Sequence, residues 1–151
     1  MKLPLVVGKL IAVELEGRII NVQLANAMTS NPVTAGSRNT LAAAKGLMDT
    51  GCFRRLPVVD DGRLVGILTE RDIREHTGAL DHTRVNAAMR TGVITVMPGD
   101  SVENAARLML EHKIGGLPVT ADGKLVGIVT MTDIVRAFLR VLQATERIMD
   151  G

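Results

Sequence analysis

The sequence predicts a mixed α/β (α+β) fold built from two copies of one strand–helix–strand–strand–helix unit. Three observations carry this. The 151-residue chain matches itself without gaps at an offset of 61, with 18 of 48 positions identical between Ala27–Arg74 and Ala88–Val135. Each copy places an Asp-Gly pair between two apolar runs ("DDGR" and "ADGK"), the strongest short-range hairpin signal. Each copy also has apolar residues at helical spacing ahead of that hairpin and a Thr-x-x-Asp directly after it.

Met1–Gln23 has no counterpart in the second half. Ile11, Val13 and Leu15 alternate with Ala12, Glu14 and Glu16, which predicts a small hairpin or a strand added to the sheet. Val33-Thr34 and Ile94–Val96 read as a first strand in each copy. A helix follows. Asp100 with Glu103 three residues on gives an N-terminal capping signature, and Val102, Ala105, Ala106 and Met109 share one face. Leu41, Ala44 and Met48 do the same in the first copy. Leu56–Val59 and Leu117–Thr120 form a second strand, Arg63–Leu68 and Lys124–Val129 a third. Thr69 and Thr130 open the second helix, and Gly78 closes the first copy. The last helix is longer: Ile134, Ala137, Phe138, Val141, Leu142, Thr145, Ile148 and Met149 make one apolar stripe. That stripe serves either as packing within its own domain or as a dimer seam. The expected domains are an N-terminal extension (1–23), two repeat domains (24–80 and 85–142) and a C-terminal helix extension (143–151).

Composition narrows the function classes. Apolar residues make up 46% and charged residues 23% of the chain, which is ordinary for a globular protein. Two Phe, no Tyr and no Trp argue against base stacking on aromatic platforms, and the core must be aliphatic. Eighteen basic against 16 acidic residues is too balanced to argue for nucleic-acid binding. Cys52 is the only cysteine, so no intrachain disulfide can form, which fits a cytoplasmic protein. No apolar run is long enough to span a membrane. At the N-terminus, Lys9, Glu14 and Glu16 break the apolar run and no small-residue cleavage site follows, so a secretory signal is not expected. His76, His82 and His112 lack metal-ligand spacing, and no P-loop, dinucleotide fingerprint or nucleophile triad is present.

The repeated runs "VGILTERDI" and "VGIVTMTDI", preceded by "LPVVDDG" and "LPVTADG" and opened by "MTSNPVT" and "MRTGVITV", resemble the CBS domain (named after cystathionine beta-synthase) in tandem. The resemblance covers about residues 24–142 and is similar in cast to small stand-alone bacterial or archaeal CBS proteins and to the CBS portion of acetoin-utilisation accessory proteins. It implies two βαββα units packed with pseudo-twofold symmetry and a homodimer of such pairs. It also implies an adenosyl ligand (AMP, ADP, ATP or S-adenosylmethionine) in clefts of the pair, held as a regulatory ligand with no cofactor or catalysis. An unknown effector protein would then read the resulting conformational change.

In the family the Gly-apolar-x-Thr-x-x-Asp motif carries the ribose contacts. Here these positions are Gly66, Thr69 and Asp72 in copy one and Gly127, Thr130 and Asp133 in copy two. Val33, Thr34, Ile94 and Thr95 match the segment that contacts adenine, largely through backbone groups. A carboxylate can engage both ribose hydroxyls, and a helix N-terminus favours nearby phosphate. Thr-x-x-Asp is also a capping-box pattern, so Asp72 and Asp133 have a purely structural alternative. For phosphate, Arg71 is matched by Thr132, Arg54 and Arg55 by Gly115 and Gly116, and Cys52 by Lys113. Either these cations distinguish the two sites or they are solvated surface residues. The competing expectation for the whole chain is a structural dimerisation module with unoccupied clefts.

Overall fold

The computed structural model describes residues 5–7, 10–15 and 18–150. In chain order the elements are β1 (Leu5–Val7), β2 (Leu10–Leu15), β3 (Arg18–Asn21), a 3-10 turn (Leu24–Asn26), β4 (Thr29–Ser30), α1 (Leu41–Gly51), β5 (Arg55–Asp60), β6 (Arg63–Thr69), α2 (Glu70–Arg74), α3 (Val85–Ala88), α4 (Val102–His112), β7 (Gly116–Ala121), β8 (Lys124–Thr130) and α5 (Met131–Asp150). The extension forms neither a lone hairpin nor an added strand. It is an antiparallel meander, β1-β2-β3, separate from the main sheet. The main sheet has five strands in the order β4-β8-β6-β5, with β7 on β8.

The chain divides into two compact units that cut across the sequence repeat. One comprises 31–94 and 120–126, the other 1–30, 95–119 and 127–151. The unit holding the first hairpin thus also holds Ala88–Ile94, the opening of the second copy. The other unit holds Ala27–Ser30, the opening of the first.

Both hairpins turn where Asp-Gly demanded it. Asp61 and Gly62 have φ of 52° and 78°, and Asp122 and Gly123 have 53° and 78°. Two successive left-handed residues match the twist of the flanking strands. The first helices start on hydroxyl caps: Thr40 Oγ1 accepts from the Ala43 amide at 3.1 Å and Ser101 Oγ from the Asn104 amide at 3.0 Å. The cap of α4 is therefore Ser101, one residue after the expected Asp100. Asp100 instead accepts from the Met97 amide at 2.8 Å, as Asn39 does from Gly36 at 2.7 Å.

Those two segments are β-turns, each also closed by a backbone bond from Asn39 to Gly36 or from Asp100 to Met97, and they explain a second difference. The expected first strands at Val33-Thr34 and Ile94–Val96 shrink to single parallel bridges, Ala35 to Val58 and Val96 to Val119. Ala35 donates to the Pro57 carbonyl and Val96 to the Pro118 carbonyl. One rung earlier, the carbonyls of Val33 and Ile94 would need the amides of Pro57 and Pro118, which do not exist. One rung later the chain leaves in the β-turn.

The core of the first-hairpin unit is aliphatic: Leu41, Ala44, Met48, Leu56, Val58, Leu68, Ile73 and Val85 are buried around Ala35. In the other unit Leu24, Val96, Val102, Ala105, Met109, Leu117, Val119, Val129 and Ala137 are buried. Both phenylalanines stay outside, Phe53 at 41% and Phe138 at 57% exposure. The α5 stripe is only partly buried. Within it Ala137 is buried and Phe138 and Leu142 are exposed, and three apolar residues outside the expected stripe, Met131, Val135 and Leu139, are exposed beside them.

Two outcomes follow for stability. Leu68→Ala and Met109→Ala, each truncating a side chain no more than 1% exposed, should cost about 2–5 kcal/mol by urea unfolding. The Ser37 hydroxyl and amide hold the Asp60 carboxyl below its ordinary value. A depressed carboxylate adds stability above its unfolded value near 4, and that part is lost as pH falls through the lower folded value. Wild type should therefore lose its advantage over Asp60→Asn on acidification below about pH 4, read by thermal melts across pH.

Candidate functional site

β6 ends at Thr69, whose extended backbone (φ −109°, ψ 160°) turns the chain into α2. Asp72, one turn on, reaches back. Its Oδ2 accepts from the Thr69 amide at 2.9 Å and the Thr69 hydroxyl at 2.8 Å, while its own amide donates to Thr69 Oγ1 at 3.2 Å. Copy two repeats this: Asp133 Oδ2 accepts from the Thr130 amide at 2.9 Å and hydroxyl at 3.1 Å, and its amide donates to Thr130 Oγ1 at 3.3 Å. The capping box is thus formed in both copies. Both carboxylates are buried, Asp72 at 4% and Asp133 at 5% exposure.

The cap uses one oxygen of each carboxylate. The other, Oδ1, receives an arginine: Arg90 Nε at 3.3 Å on Asp72 and Arg136 Nη1 at 3.5 Å on Asp133. Each aspartate therefore has an inner oxygen committed to the fold and an outer oxygen under a guanidinium that is itself 60% exposed. Oδ1 has lone pairs able to accept hydroxyl donors, and long contacts to exposed guanidinium groups are weak.

Gly66 and Gly127 have a reason of their own for being glycine. A Cβ on Gly66 would lie 2.9 Å from the Arg90 carbonyl oxygen and 2.7 Å from Met89 Sδ. A Cβ on Gly127 would meet the Thr29 carbonyl at 2.9 Å and Met28 Sδ at 2.7 Å. Reciprocal amide–carbonyl bonds join Ile67 and Arg90 at 3.0 and 2.9 Å, and β4 pairs Thr29 with Ile128 and Ser30 with Gly127. Each third strand is thus flanked by the opening segment of the opposite copy.

On its other side β6 pairs with β5, Val58 opposite Gly66, and Ala35 bridges Val58. Val33 and Thr34 thus run beside β5, about 10 Å or two strand spacings from β6. Among the described residues no backbone partner pairs with Val33, Thr34, Ile94 or Thr95, which leaves their amides and carbonyls open to another molecule. Ile94 is half-buried and Thr95 exposed, and Thr95 opens the stretch of chain leading to Val96 and its bridge to β7.

The cations sort differently from their sequence positions. Arg71 is 74% exposed on its side chain and pairs with Glu75 at 3.8 Å, not with Asp72. Thr132 is exposed and lines a shallow cavity of about 370 Å³ along α5 with Met131, Val135, Arg136 and Leu139. Arg54 lines a cavity of about 460 Å³ beside α1 and α2, with Lys45 and Arg74 as further cations and Asp49 and Glu70 as acids. Arg55 is the residue whose guanidinium burial, and then Arg54, push below its usual value. Lys113 takes a left-handed C-cap conformation (φ 53°), as Cys52 does in copy one (φ 55°). α2 has only five residues, so its dipole adds little for a phosphate. No cluster of His, Cys, Asp and Glu suited to a metal occurs among the described residues.

Arg90 and Arg136 escaped the sequence reading. Arg90 lies 18 residues beyond Asp72. Its only sequence signal was that the repeat sets it opposite the uncharged Thr29. For Arg136 the signal was the i,i+3 spacing to Asp133.

Residues 23–78 and 85–140 each match the CBS domain. The chain belongs to the CBS-domain family. Among solved structures, this CBS pair is similar to a Vibrio cholerae protein assigned by name to acetoin utilization (AcuB): 35% identity, TM-score 0.76, covering 83% of this chain and 96% of that one. It is also similar to Arabidopsis thaliana CBSX2 in complex with AMP (30% identity, TM-score 0.72, covering 80% and 98%). A third likeness is the CBS domain pair of protein MJ0100 in complex with 5′-methylthioadenosine and S-adenosyl-L-methionine (33% identity, TM-score 0.71, covering 78% and 95%). No helix among the described residues is long and apolar enough to cross a membrane.

The glycine contacts make a direct prediction. Gly66→Ala and Gly127→Ala should each destabilise by about 1–3 kcal/mol, because a carbonyl oxygen cannot give way as a flexible side chain can. Gly46→Ala, with open space around its Cβ position, should be neutral or stabilising by up to about 1 kcal/mol. Chemical unfolding of the three variants separates the cases.

Proposed function

We propose that this CBS pair is a non-enzymatic regulatory module that binds an adenosyl ligand (AMP, ADP, ATP or S-adenosylmethionine) at its two Thr-Asp sites and passes a conformational change to a partner protein. The observation that carries this is the divided carboxylate. Asp72 and Asp133 are buried, held by the cap through Oδ2, and meet a largely exposed arginine side chain at Oδ1. A cap alone uses one oxygen, and a ribose hydroxyl would take the other. Gly66, Thr69, Gly127 and Thr130 fix the carboxylate. Val33, Thr34, Ile94 and Thr95 offer unpaired backbone groups to a base, and Arg71 and Thr132 flank the sites from their helices. The AMP, 5′-methylthioadenosine and S-adenosylmethionine in related pairs support the ligand class. The ligand shifts the module only by its differential affinity for two arrangements. The proposed setting is the cytoplasm, with no nucleic acid or membrane as partner.

The assembly proposed with it is a homodimer, seated on the exposed stripe of Met131, Val135, Phe138, Leu139 and Leu142 along α5. Five large apolar residues on one helix face give an interface more apolar area than an ordinary surface carries. That same stripe is what favours the second reading, a dimerisation module with empty sites.

Native mass spectrometry of the purified protein, followed by calorimetric titration with AMP, ATP and S-adenosylmethionine, tests both readings. At least one ligand should bind and raise the melting temperature. Asp72→Asn with Asp133→Asn should weaken it by about tenfold or more, since a hydrogen bond to a charged group is lost at each site. Absence of binding by all three would leave the dimerisation module, and truncation after Arg136 should then convert dimer to monomer in light scattering.

A further inference from the structure

The two Thr-Asp sites are alike in every cap contact and differ in how each outer oxygen gets its cation. Asp72 Oδ1 is reached by Arg90, 18 residues away in sequence and fixed to β6 through the Ile67 amide and carbonyl and the close approach of Gly66. Asp133 Oδ1 is reached by Arg136 from three residues along the same helix. At the position equivalent to Arg90, copy two carries Thr29, which makes the same backbone pairing without a charge.

Building on the ligand class proposed above, we propose that Arg90 is a specificity-determining residue that makes the copy-one site prefer phosphorylated adenosyl ligands over uncharged ones. The argument is a difference between two ligands. A ribose hydroxyl on Asp72 Oδ1 competes with Arg90 Nε for that oxygen. An uncharged nucleoside displaces the guanidinium and offers nothing in return. A nucleotide displaces it and supplies phosphate oxygens, which suit the planar fork of arginine. Arg90 is equipped for the exchange: its backbone is pinned on both sides while its side chain is 60% exposed and holds Asp72 through Nε. Four N–H donors on its two terminal nitrogens remain beyond that contact. Arg71, closer in sequence, contacts Glu75 at 3.8 Å and not this oxygen. In copy two the arginine rides on the helix that carries Asp133 itself, so the pair moves as one body and the exchange is not built in.

The test is calorimetry on the full chain with two probes that differ only by the phosphate, AMP and adenosine. It compares wild type, Arg90→Gln, Arg90→Lys and Arg136→Gln, with Asp72→Asn and Asp133→Asn assigning each binding event to its site. Arg90→Gln should weaken AMP at the copy-one site by about tenfold or more and leave adenosine equal or tighter. Arg90→Lys should restore part of the AMP preference, and Arg136→Gln should leave that preference at the copy-one site unchanged. An AMP-to-adenosine preference equal in wild type and Arg90→Gln overturns the role of Arg90 alone. So does an equal loss of both ligands with a lower melting temperature, or an effect on the site that Asp133→Asn removes. Failure of wild type to bind either probe overturns the role of Arg90, while the ligand class stands or falls by the AMP, ATP and S-adenosylmethionine titrations above.

Discussion

The approach of a carbonyl oxygen onto an α-carbon without a side chain is the contact on which the site depends. At Gly66 the Arg90 carbonyl, and at Gly127 the Thr29 carbonyl, come to 2.9 Å of where a Cβ would stand. That approach lets the opening segment of one copy lie flush against the third strand of the other. The adjacent residue on each strand, Ile67 or Ile128, then pairs with it. Both the membership of the compact units and the placing of Arg90 over Asp72 follow from this. A methyl group at either glycine would push the segment away, and at Gly66 it would take the Arg90 guanidinium with it.

The Thr-Asp clusters show how one short motif serves structure and chemistry together. A carboxylate has two oxygens, and the turn from strand to helix needs only one to close the cap. Committing Oδ2 to the Thr amide and hydroxyl orients Oδ1, so the rigid cap prearranges the outward oxygen at little entropic cost. The aliphatic core bears on the same point. With both phenylalanines outside, an adenine would be held by aliphatic side chains and by the free backbone groups at Val33–Thr34 and Ile94–Thr95. The Val33 and Ile94 carbonyls are free because Pro57 and Pro118 have no amide to donate to them.

Much of the fold was legible because its signals are local. The Asp-Gly turns, the helix faces of Leu41/Ala44/Met48 and Val102/Ala105/Met109, and the capping boxes at Thr69 and Thr130 rest on interactions within a few residues. Two features differ from expectation for an equally physical reason. The first strands shrank to single bridges because the prolines that deny them a partner lie on a neighbouring strand. The cap of α4 moved from Asp100 to Ser101 because Asp100 was already engaged with the Met97 amide.

By itself the sequence determined the duplication, the order of elements within each copy and the two Thr-Asp motifs, all written in spacing and turn chemistry. Only the tertiary structure decided which opening segment flanks which third strand, that β1, β2 and β3 form a meander of their own, and that Arg90 reaches Asp72. Strand pairing across a long chain separation leaves no periodic trace in the residues it joins. A glycine accommodating another segment's carbonyl reads, in sequence, like any other glycine.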